Sequence, residues 1–484
     1  MNRLLRISFR TCLLTSILLI TACGGGGGGS SDPEEVVEVL QKLANLITSS
    51  YMLDVDKDGD LDIIVGVQGS ADKTADILLI NDGSGNFSIK EGAFPDHHLG
   101  IGGATVNIES ADFNNDGNAD IIASTTDARA DTFDDTIQIQ LYLGNGDGTF
   151  TDATANITGG LVTEYIEWIR VADFDGDNNM DFLITSNGCS ESGPNYGNCH
   201  GGRIFLNDGN TNFAVATIST TDAEMTYTET KLVWDSDGNI IPSNTGASRI
   251  ALDVFVADIN GDNKPDLIAP NGYTSNGAIA TFINTTTTPG ALTFNIVYTV
   301  DPIDPFDGGT GFKNGALMDI NGDGLLDMVG SQSIAGGDNL SAPLFAFIGQ
   351  ADGSFVEDNS VFDPAQPGVE HARQWIVDDF NNDGKDDLIV ADHGFDASPF
   401  PGEKNILLLN DGAGKLVDVS NANLGTLSSF THGGSSGDID GDGFADLFLN
   451  NAEVEPNPFF TAEIDSRLWI NNGDGSFTAR ELNL

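Results

Sequence analysis

The stretch Asp54-Val55-Asp56-Lys57-Asp58-Gly59-Asp60-Leu61-Asp62 runs straight into Ile63-Ile64-Val65. A loop of carboxylates leads into an apolar strand. The same pattern starts again at Asp112, Asp173, Asp258, Asp319, Asp379 and Asp438, at intervals of 58, 61, 85, 61, 60 and 59 residues. Positions one, five and nine of the loop are Asp in every copy. Position five is Asp58, Asp116, Asp177, Asp262, Asp323, Asp383 and Asp442; position nine is Asp62, Asp120, Asp181, Asp266, Asp327, Asp387 and Asp446. Position three is Asp or Asn: Asp56, Asn114, Asp175, Asn260, Asn321, Asn381 and Asp440.

Oxygens at alternate positions suit a hard cation, and Ca²⁺ takes six to eight of them. They converge only if the backbone turns sharply. Position six is Gly in five copies and Asn in two, Asn178 and Asn263, the residues that best tolerate positive φ. Position seven offers its backbone carbonyl whatever its side chain: Asp60, Asn118, Asn179, Lys264, Leu325, Lys385 and Phe444. The Asp at nine is expected to close the shell. The spacing resembles the first half of an EF-hand loop, without the Glu at twelve and with a strand where a helix would follow. A single copy reads equally well as an acidic turn without metal. Seven copies with 28 of 28 side-chain positions filled by Asp or Asn point to up to seven Ca²⁺ sites.

Around each loop the sequence repeats a unit of about 60 residues. A short strand precedes the loop, as in Trp168-Ile169-Arg170-Val171-Ala172. A near-continuous apolar strand follows, as in Leu388-Ile389-Val390, which suggests burial on both faces. A third strand then leads into a Gly-rich turn and an aromatic, as in Gly144-Asn145-Gly146-Asp147-Gly148-Thr149-Phe150, the mark of a hairpin. Blade four lacks that hairpin around Ile283-Asn284-Thr285, and about 25 residues are inserted after blade three, near 220–244.

Four antiparallel strands per unit predict an all-β, seven-bladed β-propeller. The units resemble FG-GAP/VCBS repeats, as in the propeller of integrin α-subunits. The resemblance covers residues 49–484, and it implies calcium binding and adhesion or matrix interaction.

Strand alternation puts the carboxylate loops and the third-to-fourth hairpins on one face of the ring. The other face receives the longer connections and all six His. His371, Arg373, His393, Asp396, Glu403 and His432 fall on connections of blades six and seven and form a candidate ligand face. Loop residues making only local hydrogen bonds are the plainer reading of the same set. Trp168, Trp375 and Trp469 sit in strand patterns and read as core; Trp234, in the insertion, is a candidate sugar platform.

The chain opens with Arg3, Arg6 and Arg10, then an apolar run from Cys12 to Ile20, too short to span a bilayer. Ile20-Thr21-Ala22-Cys23 resembles the bacterial lipobox. This implies a signal peptide over 1–22, acylation of Cys23, and an exported, outer-membrane lipoprotein, periplasmic or surface-facing. A Gly-rich tether (24–31) and a helix with apolar spacing over 34–47 are expected to complete the segment 23–48. Cys189 and Cys199 then remain as a candidate disulfide, which an exported protein permits.

The net charge is −53, from 73 acids and 20 bases. Such a surface repels nucleic acid and anionic headgroups. The expectation is a lipid-anchored calcium propeller that binds a protein or glycan at the cell surface. A polysaccharide lyase on the same scaffold and a purely structural surface protein are the alternatives. No His-Glu-x-x-His motif is present. The Lys and Arg of the face opposite the loops (Arg129, Arg203, Arg249, Arg373 and Lys404) look scattered in sequence.

Overall fold

The computed structural model describes residues 47–67, 76–95, 103–127, 138–157, 166–186, 203–220, 254–270, 278–300, 312–332, 341–394, 402–425, 429, 431–451 and 468–480. They form seven sheets, each built on four sequential antiparallel strands. Blade 1 consists of Ile47–Leu53, Asp62–Val67, Ile77–Asn81 and Phe87–Ile89. The first strands of blades 2 to 7 are Gly103–Ala111, Ile166–Ala172, Phe255–Ala257, Phe312–Met318, Ala372–Asp378 and Thr431–Gly437. These first strands pack on one another around the axis, and blade 7 meets blade 1. The molecule is a seven-bladed β-propeller.

A four-stranded sheet has two apolar faces to cover, and a ring covers both. The core therefore lies between blades. Phe174, Leu183, Ile204, Leu267, Phe282 and Phe294 fill the layer between blades 3 and 4. Leu344, Ala346, Phe362, Leu388, Leu408 and Leu416 do the same between blades 5 and 6. Each Leu, Ile or Phe so buried contributes about 1.5–3 kcal/mol. The second strands are covered on both sides, as their unbroken apolar runs require: every residue of Asp387–Asp392 and of Asp446–Asn451 is buried. Trp375 and Trp469 pack half-buried against these layers. Trp168 is half-buried beneath the Arg170 guanidinium, 4.8 Å from its ring centre.

Polar staples join the blades on the loop face. An Asn ends the third strand in five blades. The Nδ2 of Asn207 donates to Phe113 O, that of Asn284 to Phe174 O, that of Asn410 to Asp319 O and that of Asn471 to Phe380 O, at 2.8–3.1 Å. Asn81 makes the equivalent bond to Ile439 O at 2.7 Å and so closes the ring from blade 1 to blade 7. No strand is exchanged at this joint among the described residues: blade 7 keeps its own four strands and so does blade 1. Arg480 adds bonds to Ser84 O and Asn86 Oδ1 on the outside. Elsewhere the tail of one blade pairs with the outer strand of the next, as Ile218–Thr220 does with Leu292–Val300 and Phe362–Asp363 with Leu416–Asp418.

Asn81 also accepts from Gly83 N and Gly85 N and donates to Leu61 O. Replacing it strands several buried groups at about 1–3 kcal/mol each. Asn81→Ala is expected to lower stability by about 3–5 kcal/mol in denaturant titration. A loss under about 1 kcal/mol would mean that the joint is held by the first strands alone.

The structure revises some expectations. The first strand begins at Ile47, so that residue starts the propeller instead of ending a helix. The rest of the expected helix, the tether, Cys23, Cys189, Cys199, Asp396 and Trp234 lie outside the described residues, as does most of the inserted segment. Blade 4 turns through 285–291, and there Gly290 N donates to Asp175 Oδ2 of the blade 3 loop at 2.7 Å. A short helix, Ser420–Asn423, follows blade 6 and was not visible as a pattern in the sequence.

Candidate metal centre

The seven loops share one backbone course. The Asp at position one wraps it. Asp438 Oδ1 accepts from Gly441 N and Asp442 N, and Asp438 Oδ2 from Gly443 N. Asp54, Asp112, Asp173, Asp258, Asp319 and Asp379 accept the position-six amide in the same way, at 2.7–3.1 Å. The Asp at five accepts from the amide at seven in every blade. Position six has positive φ throughout, 66° at Asn178 and 63° at Asn263 included, as the Gly/Asn pattern requires.

Position four also lies in the left-handed region in all seven loops. Its residues are Lys57, Asn115, Gly176, Gly261, Gly322, Asn382 and Gly441, so the Gly/Asn preference was present in the sequence. Position two was overlooked as well. Val55, Phe113, Phe174, Ile259, Ile320, Phe380 and Ile439 are apolar and buried, and pin each loop to the core.

Position nine has a second duty. All seven Asp are fully buried. One oxygen accepts the amide at position two, as Asp446 Oδ2 does from Ile439 N at 3.0 Å. The other accepts the amide that ends the third strand, as Asp446 Oδ1 does from Asn471 N at 2.7 Å. The same pair of bonds recurs at Asp62, Asp120, Asp181, Asp266, Asp327 and Asp387. These carboxylates tie loop to hairpin whether or not they also touch an ion. Burial pushes Asp62, Asp120, Asp266 and Asp446 up to about 6, Asp387 to about 7 and Asp181 to about 8, against the pull of the backbone amides.

Three loops bring three carboxylates together. Ligand oxygens of Asp54, Asp56 and Asp58, of Asp173, Asp175 and Asp181, and of Asp438, Asp440 and Asp446 lie within 4.8 Å of one another in each set. These are the three blades with Asp at position three. Asp56 Oδ1 and Asp440 Oδ1 are buried and accept no hydrogen bond. A buried carboxylate oxygen without a partner is costly, and a cation seated among its neighbours removes that cost. Burial and the charges of adjacent Asp raise both carboxyls, which is the repulsion a cation would reverse. The residues fit a hard divalent ion bound by oxygen. In blades 2, 4, 5 and 6 the Asn at three offers a carbonyl oxygen, which accepts the position-five amide at 2.8–3.0 Å.

A family model described as an FG-GAP-like repeat matches residues 46–123, 129–184 and 379–449. These stretches are FG-GAP-like repeats. The carboxylate loops of blades 1, 2, 3, 6 and 7 lie within the matched residues. No curated protein is similar to this chain in sequence. Among solved structures, the propeller is similar to the rhamnogalacturonan lyase YesW, with 14% identity and a TM-score of 0.39 over 91% of this chain and 71% of that one. It is also similar to BBS1N in complex with ARL6DN, with 10% identity and a TM-score of 0.39 over 84% and 90%. A GH43_1 enzyme from Xanthomonas citri gives 13% identity and a TM-score of 0.30 over 66% and 95%. At such scores the likeness bears on neither ligand nor activity.

The other candidate residues lie at the opposite ends of the strands. The rings of His371 and His393 stand edge to face, 5.0 Å apart. His393 is fully buried and its Nδ1 lies 3.0 Å from Gly394 O, whereas His371 is half-exposed. Buried Asp392 fixes the pair by accepting from Glu370 N, His371 N and Gly394 N. Glu403 is half-buried and exchanges backbone bonds with Ser429. Arg373 is half-buried on the first strand of blade 6, and the backbone of His432 lies on that of blade 7.

Proposed function

We propose that the protein is a calcium-loaded, lipid-anchored propeller at the cell surface that holds a protein or glycan partner. The observation that carries the metal half of this reading is the pair of buried, unpartnered carboxylate oxygens, Asp56 Oδ1 and Asp440 Oδ1, inside three-carboxylate clusters. Seven oxygen-rich loops on seven blades favour Ca²⁺, which accepts variable ligand geometry, over Mg²⁺, which demands an octahedron. The ions would fasten one face of the ring and leave the other free to receive a ligand on longer connections, the usual place for binding residues on a rigid scaffold.

The anchor reading rests on Ile20-Thr21-Ala22-Cys23 after a basic and apolar leader. Cys23→Ser is expected to move the protein out of the membrane fraction; retention there would overturn acylation at that residue. For the partner, an array of glycans and matrix proteins read with Ca²⁺ and with chelator is the test. Expected is a discrete set of ligands captured only with Ca²⁺. Capture that is identical after chelation, or none at all, would overturn the binding role.

A further inference from the structure

The outer strand of each blade has one edge bonded to its own sheet and one edge facing out. In blades 2 to 6 the tail of the preceding blade covers that second edge at the first residue of the strand. Phe150 N donates to Ala93 O at 2.9 Å. Phe213 is bridged in parallel to Ile157, Leu292 pairs in parallel with Ile218, and Leu416 with Phe362. Phe355 N donates to Thr299 Oγ1 at 2.9 Å. In blade 7 the tail of blade 6 reaches Gly475 O, through Asn423 Nδ2 at 2.8 Å. Blade 1 differs. Among the described residues its outer strand, Phe87–Ile89, pairs with Ile77–Asn81 and with no strand on its other edge. Asp82 N bonds Asn86 O and Lys90 N bonds Leu78 O, so strand alternation turns the amide of Phe87 to that bare edge. An uncovered edge is a template for a further strand.

The covering tails keep a register. Ile157, Thr299 and Phe362 stand seven residues after the first residue of their own outer strand, Ala93 six and Ile218 five. Ile157 with Phe213, Ile218 with Leu292 and Phe362 with Leu416 are buried in the layers between their blades. Phe94, seven after Phe87, stacks on Phe150 with ring centres 4.8 Å apart. In blade 7 the outer strand starts at Phe477, and the residue seven further on is Leu484. Glu481-Leu482-Asn483-Leu484 lies outside the described residues. The chain is already on blade 1 where this segment begins: Arg480 Nη2 donates to Ser84 O and to Asn86 Oδ1, both at 3.2 Å. Four extended residues at about 3.3 Å each reach about 13 Å, enough to run from there to Phe87.

We infer that residues 481–484 add to the bare edge of blade 1 as a parallel strand. Leu484 then stands opposite Phe87, and the carbonyl of Asn483 accepts the amide of Phe87 as that of Ala93 accepts Phe150 N. An extended segment puts Leu482 and Leu484 on one face, and Leu484 takes the place that buried Phe94, Ile157 and Phe362 hold at other joints. The ring is then closed twice, by Asn81 on the loop face and by this segment on the outer side. A second copy of the chain is the competing occupant of the edge. Charge disfavours it, since each copy carries −53, whereas a segment tethered at Arg480 is held at high effective concentration. The inference rests on neither calcium nor the partner.

The test is hydrogen exchange resolved to single amides, on the full chain in CaCl₂ and on two variants, Leu484→Asp and a chain ending at Arg480. Expected is a Phe87 amide as protected as that of Phe150 in the full chain. In both variants it should exchange at least tenfold faster, with Phe150 unchanged. Melting in CaCl₂ checks that each variant is folded; either suffices if the other fails to fold. Fast exchange at Phe87 in the full chain, or protection that a folded variant keeps, would overturn the inference. Protection that rises with protein concentration would assign the edge to a second copy and overturn it equally.

Discussion

Chelation is expected to lower the melting temperature by on the order of 10 °C. An ion that binds only the folded state stabilises it by about 2.7 kcal/mol per site at a hundredfold excess over Kd. Three clusters with three carboxylates each, counted alone, give about 8 kcal/mol. In a propeller of this size each kcal/mol moves the midpoint by about 1–2 °C. The carboxylates at positions one and three also lose their counter-charge, so the metal-free loops repel themselves. Extracellular modules bind Ca²⁺ at about 10⁻⁴–10⁻³ M, hence about 10 mM CaCl₂ supplies the hundredfold excess at the tighter end of that range, the midpoint should keep rising with the logarithm of the Ca²⁺ concentration, and equimolar MgCl₂ should reproduce little of it. Calorimetric scans in CaCl₂, MgCl₂ and EDTA decide the matter. Coincident melts in all three would remove metal from the account of this fold.

Asp446→Ala should destabilise the protein by about 2–5 kcal/mol even in EDTA, because Ile439 N and Asn471 N lose their acceptors inside the core. Asp440→Ala should behave in the opposite way. Its Oδ1 accepts nothing and crowds Asp438 and Asp442. In EDTA the substitution is therefore expected to be neutral or mildly stabilising, and its cost should appear only when Ca²⁺ is present. Denaturant titration of both variants in both conditions separates a fold-supporting carboxylate from one that serves the ion. Equal losses for the two in EDTA would contradict the division of labour between positions nine and three.

The sequence by itself determined the repeat, the strand order and the chemistry of the loops. The reason is that each is local. A Gly or Asn at position six is needed for one backbone angle, alternate Asp are needed for one cluster, and an apolar run is needed for one covered strand. Even position four, with its Gly and Asn, and position two, with its buried Val, Ile and Phe, could be read once the copies are aligned with each other. Tertiary structure decided what no single copy contains. Asn81 reads as a turn residue, and only the ring brings Ile439 O within 2.7 Å of its amide, 358 residues away in sequence. Asp446 reads as a metal ligand, and only packing of loop on hairpin shows it holding two amides.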